Sequence, residues 1–265
     1  MRKIIKHSIK TLFRSLGFDI HRIQVPAEEP KTIRTNELEL YETATGKYYL
    51  PKDAKADWVA MVIKQNQIFD EAVYNLAASY IKEGTIALDV GSNFGQMAVL
   101  YSRHVGADGL VYAFEANHFV YGILEKNIAI NNARVKAFEG AVHNVDGETL
   151  YFPEYVFDTC GTYGSFGIDY ATSKGEPVNA FTLDSLDYPL PVSFMKVDVQ
   201  GGDLFAMQGA RGIIEKYKMP IIFEYEPSLE VKQNFNFQQY VDFVDSINYT
   251  FVRVVDGHNY LILPR

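Results

Sequence analysis

The chain has 265 residues, with 25 basic and 33 acidic side chains, a net charge of -8 and 48% hydrophobic residues. That length buries one large core without calling for a second complete domain, and the acidic balance argues against a protein whose main partner is a phosphate backbone. Cys160 is the single cysteine, which rules out an intrachain disulfide framework and points to a reducing, cytoplasmic setting. No run approaches the roughly 20 apolar residues of a bilayer-spanning helix.

Residues 2–16 set Ile5, Ile9, Leu12, Phe13 and Leu16 at helical spacing, with Lys3, Lys6, Lys10 and Arg14 mostly on other faces and Gly17 as a stop. Such a basic amphipathic helix either caps its own domain or lies peripherally on an anionic inner membrane surface. It has neither the apolar stretch nor the cleavage site of a secretory signal. Residues 24–36, with Pro26 and Pro30, have linker composition. Alternation of Leu38 and Leu40 with Glu37 and Glu39, followed by Thr45-Gly46 and Tyr48–Leu50, predicts a short hairpin. Helices are expected near 57–64 and 70–82, where Trp58, Phe69 and Tyr74 either pack on the main domain or line a substrate entrance. Residues 1–83 are therefore an N-terminal extension and 84–265 the catalytic domain.

After Gly84, short apolar runs alternate with amphipathic stretches, the pattern of βαβ units. Strands are predicted at Thr85–Val90, Leu110–Glu115, Val135–Val142, Val192–Val199 and Pro220–Tyr225, with helices over 94–104, 118–131, 203–217 and around Phe237–Ile247. Thr250–Val255 and Tyr260–Leu263, separated by Asp256-Gly257, form a closing antiparallel hairpin. Right-handed crossovers make the helix-linked strands a doubly wound, mostly parallel sheet.

In such a sheet a ligand sits beyond the carboxyl end of the first strand, where the turn reads Asp89-Val90-Gly91-Ser92-Asn93-Phe94-Gly95. Glycines at 91 and 95 permit a tight turn and close backbone approach. Glu115 ends the second strand, where a carboxylate accepts hydrogen bonds from both hydroxyls of a ribose. A phosphate-binding P-loop is excluded for want of GxxxxGK[ST], and the dinucleotide string GxGxxG fails at Asn93. The turn has an acid, Asp89, and no basic residue between 85 and 102, which suits a ligand carrying an ammonium and a sulfonium better than a pyrophosphate. By residues alone, S-adenosylmethionine, a nicotinamide dinucleotide and a degenerate sheet all remain open.

The segment from about 84 to 226 resembles the FkbM family of S-adenosylmethionine-dependent O-methyltransferases. The matching strings are Leu88–Gln96, Ala113–Asn117, Asn127–Asn132, Thr182–Leu186, Met195–Asp203 and Ile221–Glu224. The resemblance implies a seven-stranded, Rossmann-like methyltransferase sheet. It also implies S-adenosyl-L-methionine held by Asp89, Gly91, Ser92, Asn93 and Gly95, with its ribose on Glu115. The loop Gly140-Ala141-Val142-His143 would flank the adenine, Ala116 would also contact the cofactor, and Asp198 would point toward the methyl-transfer centre. The family usually carries acids at the positions of Gln200 and Asp203, and here the second alone is retained.

Methyl transfer from a sulfonium is an in-line displacement, so alignment of the acceptor oxygen is the enzyme's main task. Asp198 is the first candidate for a base or for orienting the acceptor, with His143 and Lys196 behind it; Asp198 contacting the cofactor's methionine end is an equal alternative. No metal is expected, because the six histidines are scattered and HExxH and CxxC are absent. The glycine- and aromatic-rich segment 151–170 forms either a twisted hairpin or a lid, with Ser165 a candidate for substrate contact. The expected partner is a small-molecule or glycan hydroxyl acceptor, of a saccharide or secondary metabolite, and not nucleic acid. A noncatalytic S-adenosylmethionine-binding scaffold, motivated by Gln200, and a nicotinamide-dependent oxidoreductase are the alternatives.

Overall fold

A computed structural model describes residues 37–52, 54–153, 162–164, 166–170, 173–229 and 235–265. The basic helix expected over 2–16, the linker 24–36, Cys160 and Ser165 lie outside the described residues. Strands β1 (Leu38–Thr43) and β2 (Gly46–Pro51) form the expected hairpin, paired from Leu38 with Pro51 to Thr43 with Gly46. Helices α1 (Trp58–Lys64) and α2 (Glu71–Tyr80) follow. Asp57 caps α1 by accepting from Ala60 N at 2.8 Å, the role short acidic side chains fill at helix starts.

The βαβ pattern appears as β3 (Ile86–Val90), α3 (Gln96–Val105), β4 (Leu110–Glu115), α4 (His118–Ile130) and β5 (Val135–Glu139). Beyond these come β6 (Ala141–Val142), β7 (Thr149–Phe152), β8 (Glu176–Phe181), β9 (Val192–Val197), α5 (Asp203–Gln208), α6 (Arg211–Tyr217) and β10 (Ile221–Glu224). The described chain closes with α7 (Phe237–Ser246), β11 (Tyr249–Val254) and β12 (Asn259–Pro264).

Seven strands build the main sheet in the order β11-β12-β10-β9-β3-β4-β5. β5, β4, β3, β9 and β10 run parallel, and the C-terminal hairpin adds β12 and β11 antiparallel. Alternate residues serve opposite faces. Ile86, Leu88 and Val90 meet Leu204, Ile214 and Tyr240 from α5, α6 and α7, while Ala87 on the other face joins Val73 of α2 and Met97 and Tyr101 of α3. Chain order reverses between β3 and β9, the switch point of an open α/β sheet.

The hairpin docks on the helices beside the first turn. Tyr48 and Leu50 pack with Phe94, Val99, Val120 and Ile123. Two amides, one in α4 and one capping its C-terminus, bind the outer edge of β2: Asn127 accepts from Tyr49 N at 2.6 Å and donates to Tyr49 O at 3.2 Å, and Asn131 accepts from Lys47 N at 2.9 Å and donates to Lys47 O at 2.6 Å.

Three expectations need correction. The strand expected over 135–142 breaks at Gly140, whose φ is +139° and where a Cβ would lie 2.7 Å from Asn179 O. Ala141–Val142 leave the main sheet and pair with β8 in a small sheet of order β6-β8-β7. The helix expected over 203–217 is two, parted at Gly209 and Ala210; Gly209 passes so close to the chain at His143 that a Cβ would stand 1.9 Å from its carbonyl oxygen. The amides at the second start are satisfied by Asp184, which accepts from Gly212 N at 2.7 Å and Ile213 N at 2.9 Å. The partner of β7 is β8, outside the 151–170 segment, and the described residues 162–164 and 166–170 form no strand.

Candidate active site

The carboxyl ends of β3, β4, β9 and β10 open into a cleft of about 250 Å³. The turn after β3 forms one wall. Gly91, at φ +84°, runs so close to the β9 loop that a Cβ would sit 1.8 Å from Asp198 O. Gly91 N and Ser92 N both donate to Phe114 O, at 3.0 and 2.9 Å, and Ser92 Oγ donates to Asp89 O at 2.7 Å. Asn93 takes the left-handed conformation at φ +50°, which asparagine tolerates better than most residues, and its own Oδ1 accepts from Phe94 N. Gly95, also a sequence candidate for cofactor contact, lies off the cleft lining; its Cα faces Leu124, and it starts α3.

Glu115 is held by backbone. Its Oε2 accepts from Asn93 N at 3.0 Å and its Oε1 from Asn117 N at 2.9 Å. Burial pushes its pKa up to about 7, against the pull of those amides. Asp89 is fully buried, faces the cleft, and neither carboxylate oxygen has a hydrogen-bond partner. Burial pushes it up to about 6, with Lys196 pulling the other way.

At the β9–β10 end the polar groups hold one another. Lys196 donates from Nζ to Asp198 Oδ2 at 2.9 Å, with the two side chains 4% and 16% exposed. Beyond β9, Gln200 sits at φ +54°, and its amide donates to Asp198 Oδ1 at 3.3 Å and Glu224 Oε2 at 2.9 Å. Burial is the largest influence on Asp198 and opposes its charge, but the Lys196 ammonium and the hydrogen bonds from Lys196, Glu224 and Gln200 together outweigh it and hold the carboxyl below its ordinary value. Burial together with Asp198 and Asp203 pushes Glu224 up.

Most of the sequence candidates come together here. Asp89, Gly91, Ser92, Asn93, Glu115, Ala116, Ala141, Val142, Lys196 and Asp198 all line the cleft. His143 does not. Its buried ring packs on Phe205 at 4.3 Å and Tyr170 at 5.6 Å, its nitrogens have no partner, and burial lowers its pKa. Phe69 lines the cleft, Trp58 is 65% exposed, and Tyr74 is engaged with His104 at 2.9 Å.

Sequence reasoning passed over Asp70, before α2, and Asp256, in the β11–β12 turn, both of which reach the cleft. Each read there as structural punctuation, and only the assembled sheet turns them inward. Six carboxyls (Asp70, Asp89, Glu115, Asp198, Glu224 and Asp256) thus face one lysine, Lys196, among the described lining residues. That surplus suits a cation bearing a sulfonium and an ammonium, and the orphaned Asp89 carboxylate fits the same group. Among the described residues, no cluster of three or more His, Cys, Asp or Glu is arranged to hold a metal ion, and no helix is long and apolar enough to cross a membrane.

The methyltransferase FkbM domain family matches the chain over residues 89–251, more than half its length. No curated protein matches it in sequence. Among solved structures it is similar to methyltransferase FkbM from Methylobacillus flagellatus KT, at 12% identity over 78% of this chain and 60% of that one, with a TM-score of 0.43. It is also similar to a SAM-dependent O-methyltransferase from Thermotoga maritima, at 17% identity over 84% of this chain and 76% of that one, TM-score 0.43. A third likeness is to M. jannaschii TYW2 in complex with AdoMet, at 12% identity over 85% and 83% of the two chains, TM-score 0.42. On the family match, the chain belongs to the FkbM family of S-adenosylmethionine-dependent methyltransferases.

Proposed function

We propose that the protein transfers a methyl group to a hydroxyl of a saccharide or secondary-metabolite acceptor. One observation carries the proposal: a single cleft joins a cofactor half, around Asp89–Asn93 and Glu115, to a second polar half at Asp198, Gln200 and Glu224. S-adenosylmethionine, when bound, supplies an electrophilic methyl carbon on a charged sulfur. Glu115 accepts from the ribose hydroxyls, while Ala116, Ala141 and Val142 flank the adenine. Gly91, Ser92 and Asn93 give close backbone approach, and Gly95 acts through the start of α3. The buried charge of Asp89 favours a cationic ligand.

The chain's remaining work is to place an acceptor oxygen in line with the methyl carbon. Asp198, kept ionised by Lys196, would accept a hydrogen bond from the hydroxyl and orient it, and Lys196 fixes the carboxylate in one position; the hydroxyl proton is lost to solvent as the C–O bond forms and the S–C bond of the sulfonium breaks. His143, packed behind the wall, takes no part. The acid-rich cleft and the net charge of -8 disfavour a nucleic-acid acceptor. A noncatalytic binder is the second reading, favoured by the neutral Gln200 amide between Asp198 and Glu224.

Parallel calorimetric titrations with S-adenosylmethionine, S-adenosylhomocysteine and NAD test the cofactor site. Binding of the two sulfur nucleotides and not NAD is expected, and NAD binding alone would overturn the assignment. Incorporation of labelled methyl into a panel of hydroxylated glycans and metabolites, compared with amine and RNA acceptors, tests the chemistry. Label confined to amines or RNA would refute hydroxyl transfer, and no label with tight cofactor binding would support the noncatalytic reading.

A further inference from the structure

The methyl-transfer assignment leaves one fully buried carboxylate unused. Asp57 has no exposed surface and lies before α1, remote in sequence from the residues matching the family. Its Oδ1 does the local job of accepting from Ala60 N. Its Oδ2 reaches 105 to 107 residues along the chain, accepting from Tyr163 N at 2.6 Å, from Gly164 N at 3.3 Å and from Thr162 Oγ1 at 3.3 Å. Consecutive backbone amides converging on one anionic oxygen make a compact, charge-assisted anchor.

What the anchor holds is part of the cleft. Tyr163 packs edge-on against Phe94 of the glycine turn at 6.1 Å and against Phe119 at 5.6 Å. At Gly164 a Cβ would meet Asn93 Nδ2 at 2.6 Å and Val59 Cγ2 at 3.5 Å, so the strand of chain lies directly on the turn assigned to the cofactor. Farther along, a Cβ at Gly167 would stand 2.7 Å from Gln200 O. Gly164 and Gly167 both line the cleft. The described residues 162–164 therefore rest on the β3 turn, and 166–170 continue to the β9 loop.

We propose that Asp57 is a positioning residue for the cofactor, tying residues 162–164 down over the first glycine turn so that the cleft wall is complete when S-adenosylmethionine binds. The inference rests on the assignment of this cleft to that cofactor. It makes the region preceding the family-matching segment a working part of the site.

The two carboxylate oxygens have separable tasks, which makes the test clean. Asp57→Ser keeps a good helix cap and loses the second arm; Asp57→Ala loses both. S-adenosylmethionine and S-adenosylhomocysteine affinities are measured by calorimetry on the full chain, with ligand dissociation rates by stopped flow and thermal unfolding without ligand. Asp57→Ser, which leaves the buried Tyr163 amide without its carboxylate, should lower the unfolding temperature less than Asp57→Ala yet bind both ligands about tenfold or more weakly, chiefly through faster dissociation, as expected for loss of charged hydrogen bonds. Gly164→Ala, which crowds Asn93 from the other side, should weaken binding in the same way. Wild-type affinity in a folded Asp57→Ser variant would overturn the proposal, as would a loss of affinity that tracks only the loss of thermal stability across the three variants. Failure of the wild-type protein to bind either nucleotide would instead strike the cofactor assignment itself.

Discussion

The two ends of the cleft are built on different principles. At the β3–β4 end, Glu115 is gripped by the amides of Asn93 and Asn117, and Ser92 is tied to Asp89 O, so main chain does the positioning. At the β9–β10 end, Lys196, Asp198, Gln200 and Glu224 hold each other by side chains. A site held by main chain depends on local conformation and therefore leaves a local string in the sequence. The other end also has a local string, Lys196 to Gln200, but its closure needs Glu224 from a strand that meets it only in the folded sheet. It tolerates substitution differently, because every member answers to its neighbours.

The largest effect that would break this contrast is expected at Lys196. Lys196→Met leaves Asp198 and Asp89 buried without their cation and should cost about 3–5 kcal/mol in urea denaturation, the range for orphaning one member of a buried pair. A loss under about 1 kcal/mol would mean the β9 end is more open to water than its burial indicates. Glu115→Ala comes next. With its scaffold supplied by backbone, the variant should stay folded and weaken S-adenosylmethionine binding by about 1.5–3 kcal/mol in calorimetry. Unchanged affinity would remove Glu115 from the ribose.

Gln200→Glu sharpens the comparison from the other side. It places a third carboxyl within hydrogen-bond distance of Asp198 and Glu224, and should destabilise the ligand-free protein by about 1–2 kcal/mol at pH 8 and less at pH 5, where protonation relieves the repulsion. Equal stability of the variant and the wild type at both values would show that the amide is not bridging.

The last test is the pH dependence of the ligand-free protein. Burial pushes Glu115 and Asp203 up to about 7, and Asp70 and Asp89 up to about 6. Groups whose folded values exceed their unfolded ones near 4 retain protons in the folded chain that the unfolded chain has released, so stability falls as pH rises through that window, and Glu224, pushed up to about 10, extends the fall beyond it. A cationic ligand favours the ionised forms, so S-adenosylmethionine affinity should rise over the same range, and more steeply than that of uncharged-sulfur S-adenosylhomocysteine. Parallel pH profiles for the two ligands would detach the carboxyls from the sulfonium.

Both ends were legible as local strings, while the contacts that join them were not. The alternation after Gly84 predicts all seven strands of the main sheet, and Asp89–Gly95 with Glu115 marks the cleft, because period and turn chemistry are local properties. The breaks at Gly140 and Gly209 were not legible, since the close neighbours of these two glycines, Asn179 O and His143 O, lie far along the chain. His143 illustrates the converse. Its place in a loop beside the expected adenine pocket made it a candidate, yet aromatic packing by Phe205 and Tyr170 turns it away from the cleft. Asp57 and Asp70 read as ordinary helix starts, and nothing within their own segments indicates where the second oxygen or the open face will point.

The paired amides of α4 and its C-terminal cap make the placement of the N-terminal hairpin a matter of matched periods. Four residues along a helix advance about 6.0 Å, and two residues along a strand advance about 6.8 Å. Asn127 and Asn131, four apart, therefore reach the N–H and C=O of Tyr49 and Lys47, two apart, as a key of two teeth enters a lock. A slip of β2 by one residue would disengage both teeth and turn Tyr48 out of the core at once. The engaged edge is also withheld from any passing strand, so the same two side chains that set the register shield the β2 edge of the hairpin from edge-to-edge association.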